Sequence, residues 1–251
     1  MKNEEGILTL PFFQQAKELS KQLALDSKKE KEIEKVSRIF PFKIPEFYLG
    51  LMDKGNTSCP IRNQAVPSVD ELSENGDVDP LNEKDSSITS VFIKKYPGRG
   101  VFLVSSECAM YCRFCNRKRF IGKKWDPRLY RDETLEYIRC DKEIREVIIS
   151  GGDPLMLDPE ELEFVLSELR GIDRIKVIRI SSRVPVVYPE GLKKGHIRAI
   201  RKHASIWFVV HINHPKEISP QFADSVKKLR KAGAVMVSQS VLLRNVNDCP
   251  H

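Results

Sequence analysis

The chain has 251 residues, 41% of them hydrophobic, enough to bury the core of one large domain or of one domain with an appendage. Its net charge of +7 sits on a surface where both signs mix, as in Lys28-Lys-Glu-Lys-Glu-Ile-Glu-Lys35, which argues for solvation and against a nucleic-acid partner. No apolar run reaches the length of about 18 residues that a transmembrane helix needs, and the polar start Met1-Lys-Asn-Glu-Glu5 has no signal-peptide core, so no membrane partner and a cytoplasmic location are expected.

Residues 11–38 read as helix, with Phe12, Phe13, Ala16, Leu19, Leu23 and Leu25 spaced among polar residues. Pro41, Pro45, Pro60, Pro67 and Pro80 break any long element over residues 41–90. Residues 1–90 are therefore expected to form an N-terminal arm of short helices and irregular chain, and residues 91–251 the core. From residue 91 apolar runs rich in β-branched residues alternate with amphipathic stretches. The runs are 101–104, 147–149, 175–180, 206–210 and 235–237, with helical patterns near 130–139, 159–170, 191–203 and 219–232. Asp158-Pro-Glu-Glu161 and Ser219-Pro220 carry helix-start signals, and Gly171 and Gly233 stand where helices end.

Strands separated by helices mean βαβ units, an α/β class and a parallel sheet. Chemistry in such folds gathers at the carboxyl ends of the strands. There the first run leads into a cysteine loop, and the others end in Ser150-Gly-Gly-Asp153, Ser181-Ser-Arg183, His211-Ile-Asn-His214 and Ser238-Gln-Ser240. Five runs thus deliver polar residues to one rim.

The loop is Cys108-Ala-Met-Tyr-Cys112-Arg-Phe-Cys115, a C-x3-C-x2-C pattern. Thiolates are the usual ligands of iron–sulfur clusters. Three of them leave one iron of a 4Fe-4S cluster open, and that site can chelate the amino and carboxylate groups of S-adenosylmethionine (SAM). Electron transfer from the cluster to the sulfonium then breaks a carbon–sulfur bond, leaving methionine and a 5′-deoxyadenosyl radical. The rival readings are coincidence or zinc, which favours four ligands, often as two C-x2-C pairs. No second pair is present, and Cys59, Cys140 and Cys249 are dispersed like ordinary thiols.

The stretch from Cys108 through Phe120 resembles lysine 2,3-aminomutase and its relatives in the radical SAM superfamily. So do Pro60-Ile-Arg-Asn-Gln-Ala-Val-Pro67, Ile149-Ser-Gly-Gly-Asp-Pro-Leu155, His211-Ile-Asn-His-Pro-Lys-Glu-Ile218 and Gln239-Ser-Val-Leu-Leu-Arg-Asn-Val-Asn-Asp248, in the family's order. The resemblance implies a partial (β/α)6-type radical SAM barrel and an isomerase that moves an amino group from C2 to C3 of lysine or a related amino acid. It implies three cofactors: a 4Fe-4S cluster on Cys108, Cys112 and Cys115, SAM, and pyridoxal phosphate (PLP). Gly151, Gly152 and Asp153 would meet the methionine amino group, and Ser182, Arg183 and Gln239 would meet SAM or PLP. His211 would lie near PLP, with His214 beside it, while Tyr96 and Arg99 would hold the PLP phosphate, although Lys95 stands where the family has arginine. Arg117 would grip the substrate carboxylate, which suits a bidentate guanidinium. A reductant for the cluster is a further partner, and a homo-oligomer is compatible with the sequence.

The lysine that anchors PLP, the acidic residues that select the substrate amine and the closing strand lie downstream in the family, so the chain reads as a fragment or as dependent on a partner for the missing part. Two alternatives stay open: a PLP-independent radical SAM enzyme acting on RNA or peptide, and a remnant that holds a cluster without aminomutase activity.

Overall fold

The first expected helix breaks at Ala24. In the computed structural model, which describes residues 12–73, 76–122, 125–203 and 205–249, it is two helices, Ala16–Gln22 (α1) and Ser27–Ser37 (α2). Ala24 takes a left-handed φ of 49°, and the Asp26 carboxylate caps α2 by accepting from Lys29 N at 2.7 Å. Hydrophobic spacing alone does not register a cap inside a periodic pattern. Phe12–Phe13 (β1) is a strand as well, paired antiparallel with Ile44–Pro45 (β2). Pro11, the first residue of the expected helix, lies outside the described residues. Short helices Glu46–Gly50 (α3) and Pro60–Asn63 (α4) and a 3-10 turn at Val69–Leu72 follow.

These elements belong to one of two compact units, which holds the described residues up to 73 together with 110–115 and 242–249. It buries Leu19, Ile33, Val36, Ile44, Tyr48 and Ile61.

The second unit, residues 76–109 and 116–241, is built on a seven-stranded sheet in sequential order. Ser87–Thr89 (β3), Phe92–Tyr96 (β4) and Arg99–Ser105 (β5) are antiparallel neighbours. Glu146–Gly151 (β6), Val177–Ser182 (β7), Trp207–His211 (β8) and Val235–Gln239 (β9) continue from β5 in parallel. Parallel neighbours need a crossover. These crossovers carry Arg131–Cys140 (α5), Pro159–Arg170 (α6), a single turn Val184–Val187 (α7), Lys194–Lys202 (α8) and Pro220–Lys231 (α9). The arrangement is α/β, consistent with the partial barrel that the resemblance implies.

Alternation explains the strands: Val147 and Ile149 in β6, and Ile178 and Ile180 in β7, are wholly buried while their neighbours are half-buried. Leu162, Val165, Leu166 and Leu169 give α6 its buried stripe. The five expected strands and four expected helices are all present. The hairpin strands β3 and β4 are additions, and β3 is short with two of its three residues exposed, so it carries no period to read.

Cap chemistry differs in detail. Ser219 Oγ caps α9 by accepting from Phe222 N at 3.0 Å, as expected. Asp158 begins α6 without a side-chain cap bond and meets Lys193 Nζ at 3.2 Å instead. Gly171 stays right-handed at φ −68°, whereas Gly233 uses a φ of 88°. Among the described residues no helix is long and apolar enough to cross a membrane.

Candidate cofactor site

Gly151 and Gly152 are where β6 passes the segment that leads into Cys108. A Cβ on Gly151, whose φ is 125°, would stand 2.4 Å from Ser105 O, and one on Gly152 would stand 2.2 Å from Glu107 O. Only glycine permits that approach. Gly152 N donates to Ser105 O at 2.5 Å and Asp153 N to Glu107 O at 2.7 Å. That approach is made to the chain's own backbone, and it holds the lead-in to the cysteine loop. A cleft of about 800 Å³ opens beside this clamp, walled by Ser105, Glu107, Trp125, Arg128 and Glu161 among others, so the lead-in can be reached from solvent.

Asp153 is buried and ties the end of β6 to that of β7. Its Oδ1 accepts from Ser182 Oγ at 2.7 Å and Leu155 N at 3.0 Å. Its Oδ2 accepts from Arg183 N at 2.7 Å and Val184 N at 3.2 Å. A carboxylate has about four lone-pair positions, and four protein donors occupy them. Burial raises its pKa above the ordinary carboxylate value, against the pull of those donors. The geometry makes Asp153 and Ser182 a brace between two strand ends.

Arg183 continues the network. Its Nη2 donates to Glu217 Oε1 at 2.7 Å, with Glu217 fully buried. The other oxygen, Oε2, accepts from Asn213 N at 2.7 Å and His214 N at 3.1 Å. Asn213 Oδ1 accepts from Val241 N at 2.9 Å and lies 3.2 Å from His211 Nε2. An oxygen already accepting from a backbone amide requires the proton on His211 Nε2, leaving Nδ1 as the acceptor of the neutral ring. Burial first, and then the charge of Arg183, push the His211 pKa down to about 4. His214 turns away, its Nδ1 accepting from Lys216 N at 3.1 Å to cap a 3-10 turn. Gln239 ends β9 with its carbonyl accepting from Ile212 N at 3.0 Å.

Arg117 stands against a carboxylate of this chain. Its Nη2 donates to Glu83 Oε1 at 2.7 Å, its Nε shares the same carboxylate at 3.1 and 3.2 Å, and its Nη1 reaches Ser150 Oγ at 3.3 Å. Arg119 Nη2 donates to Glu83 Oε2 at 2.6 Å, while Asp79 lies 3.1 Å from Arg119 Nη1. Glu83 is buried, and nothing in its loop's sequence marks it.

The sheet does not bring Tyr96 and Arg99 to this rim. They face each other across the β4–β5 turn, and Arg99 pairs in register with Glu146 at the amino end of β6. Arg99 and Ser105 are the two ends of seven-residue β5, a span of roughly 20 Å at about 3.3 Å per residue step. Arg99 Nε lies 3.7 Å from Glu146 Oε2.

Cys108 lies in the second unit, just past the clamp, and Cys112 and Cys115 in the first. All three are half-buried, and Cys115 N donates to Cys112 O at 3.1 Å. Among the described residues no group of three His, Cys, Asp or Glu side chains forms a metal-holding arrangement. Donor chemistry is what fits the cluster: three thiols at C-x3-C-x2-C spacing on one loop.

Comparison with known proteins bears on the same segments. The chain is 36% identical over 238 residues to L-lysine 2,3-aminomutase of Clostridium subterminale, covering 93% of this chain and 57% of that protein. It is 38% identical over 234 residues to L-lysine 2,3-aminomutase of Methanococcus maripaludis, covering 91% and 54%. To glutamate 2,3-aminomutase of Clostridioides difficile it is 34% identical over 233 residues, covering 92% and 55%. The chain therefore spans a little over half the length of these relatives. The radical SAM superfamily matches residues 102–250, which is more than half of the chain and takes in the cysteine loop and every rim segment from β5 to β9. This chain belongs to the radical SAM superfamily.

Proposed function

We propose that the protein is a radical SAM 2,3-aminomutase that moves the amino group of lysine, or of a related amino acid, from C2 to C3. The observation that carries this reading is its 34–38% identity, over more than nine-tenths of this chain, to aminomutases of that one reaction type. Cys108, Cys112 and Cys115 would hold the 4Fe-4S cluster, by their spacing along the loop, and three thiolates would leave it able to take SAM. When bound and reduced by an external reductant, the cluster supplies the electron that cleaves SAM. A cytoplasmic setting, rich in reductants, suits such a group.

The other residues bind and orient. Gly151, Gly152 and Asp153 set the lead-in to Cys108, Asp153 through its backbone amide on Glu107 O, while four donors to its carboxylate tie that position to the end of β7. Ser182, Arg183 and Gln239 shape the rim that faces SAM. Arg117 takes the substrate carboxylate, in which case that group shares the guanidinium with Glu83 or displaces it. PLP rests on the aminomutase resemblance. The resemblance assigns Tyr96 and Arg99 to its phosphate, but Arg99 lies a strand length from the rim and against Glu146. Of these residues it is therefore His211 that stands on the rim, where it offers a neutral ring.

Anaerobically reconstituted protein, given dithionite, SAM, PLP and either L-lysine or L-glutamate, tests the reading. 5′-Deoxyadenosine together with a β-amino acid from one of the two supports it. 5′-Deoxyadenosine formed equally without PLP, with neither amino acid changed, points to PLP-independent radical chemistry.

A further inference from the structure

Arg113 lies between Cys112 and Cys115, and it is buried. Its guanidinium grips Glu71 with two parallel bonds, Nε to Oε1 at 2.9 Å and Nη2 to Oε2 at 2.7 Å. Nη1 donates to Pro41 O at 3.0 Å and Nη2 also to Phe40 O at 3.3 Å. The Arg113 backbone amide donates to Gln64 O at 2.9 Å, and that of Tyr111 to Lys43 O at 3.0 Å. Glu71 is itself held, since its Oε1 accepts from Ser68 N at 3.0 Å in a capping box. All of these groups lie in the first unit.

A side chain pointing out between two cluster ligands would be expected to meet solvent. This one is turned inward and held by a carboxylate and two backbone carbonyls. Those carbonyls come from a segment where Pro41 carries no amide hydrogen, so its backbone only accepts. A planar five-donor fork meets this acceptor set, whereas an ammonium of similar length cannot make the paired contact. Nothing in the reaction proposed above uses Arg113 or Glu71.

We propose that Arg113 and Glu71 are positioning residues for the iron–sulfur cluster: the pair locks the backbone between Cys112 and Cys115 and so sets where their thiolates point. The inference rests on the reading that these cysteines hold the cluster. It assigns residues 40–71 a task, as the bed on which two of the three ligands are laid.

The test uses the full chain, reconstituted anaerobically with iron and sulfide, as wild type, Arg113→Lys and Glu71→Gln. Circular dichroism and thermal melts of the metal-free proteins establish that each variant folds. Three quantities are then read: iron per chain, the rate of iron loss to a chelator, and the electron paramagnetic resonance spectrum of the reduced cluster before and after SAM is added. Both variants are expected to lose iron at least 5-fold faster than wild type and to give a spectrum altered in shape. A third variant, Arg113→Ala, is expected to lose iron as fast as the other two and to regain part of the wild-type retention when guanidinium is added at millimolar concentration; no regain would count against the pairing. Folded variants with wild-type loss rates and spectra overturn the inference while leaving the cluster assignment standing. Wild type that takes up no iron overturns the cluster assignment and the inference with it. Should one variant not fold, the other carries the same comparison.

Discussion

The backbone amide of Arg183 donates to the Asp153 carboxylate at 2.7 Å, which ties the carboxyl end of β7 to that of β6. Because Asp153 N donates in turn to Glu107 O, one residue joins two strand ends to the lead-in of the cysteine loop. Asp153→Asn keeps the shape but sets an NH2 group against backbone donors on one side. The expected loss is about 2–4 kcal/mol of stability, read as a lower urea midpoint at unchanged slope, since a buried donor left facing a donor bears its full desolvation cost. An unchanged midpoint would show that the carboxylate is not engaged as described.

Gly152→Ala and Gly233→Ala separate two reasons for needing glycine. A Cβ at 152 would meet backbone at 2.2 Å, which no side-chain rotation relieves, whereas one at 233 meets nothing within 4 Å and suffers only from a φ of 88°. Gly233→Ala is expected to cost about 1–2 kcal/mol, the usual penalty of a left-handed residue. Gly152→Ala should cost more, about 3 kcal/mol, and should also displace Glu107. Equal melting temperatures for the two variants would contradict this ordering.

Arg117→Met leaves the buried Glu83 carboxylate with Arg119 as its remaining arginine partner among the contacts described. A drop of about 1–3 kcal/mol in unfolding free energy is expected, and Arg117→Met combined with Glu83→Leu should recover most of it, because the buried, half-compensated carboxylate is then gone and Arg119 keeps Asp79. A double variant no more stable than the single one would show that the pair is not coupled.

His211 sets a pH dependence whose sign follows from its folded pKa of about 4, well below the ordinary histidine value. Between about pH 6.5 and pH 4 the unfolded chain binds a proton at this position and the folded chain does not, so stability rises with pH across that window and is lost as pH falls. Above about 6.5 His211 contributes no slope. The groups facing it are Arg183, Glu217 and Asn213. His211→Gln is expected to flatten the wild-type slope between pH 4 and 6.5, measured by urea titrations at several pH values, and to leave it unchanged near pH 8. Parallel curves for wild type and variant would refute a buried neutral ring.

Much of this was legible in the residues. The β-branched runs and amphipathic stretches after residue 91 are local signals of period two and 3.6, and they reappear as β5–β9 with α5, α6, α8 and α9. The rim followed from counting what each run ends in. What did not follow are contacts between residues far apart in sequence. Glu83 meets Arg117 across 34 residues, Glu71 meets Arg113 across 42 and Glu217 meets Arg183 across 34. Each acidic partner sits in a stretch whose period says nothing about what it will face. Arg113 had one available signal, an arginine inside C-x2-C, where a small or polar residue would have served a solvent-exposed loop. Tyr96 and Arg99 show the opposite case: neighbours of the cysteine strand in sequence, they lie a full strand length from its carboxyl end.

The most direct test of the account is electron paramagnetic resonance on anaerobically reconstituted, dithionite-reduced chain, paired with iron analysis, for wild type and for Cys108→Ala/Cys112→Ala/Cys115→Ala. About four irons per wild-type chain and a reduced-cluster signal that changes when SAM is added are expected, with neither iron nor signal in the triple variant. A triple variant that keeps its iron, or a wild-type signal indifferent to SAM, would contradict this.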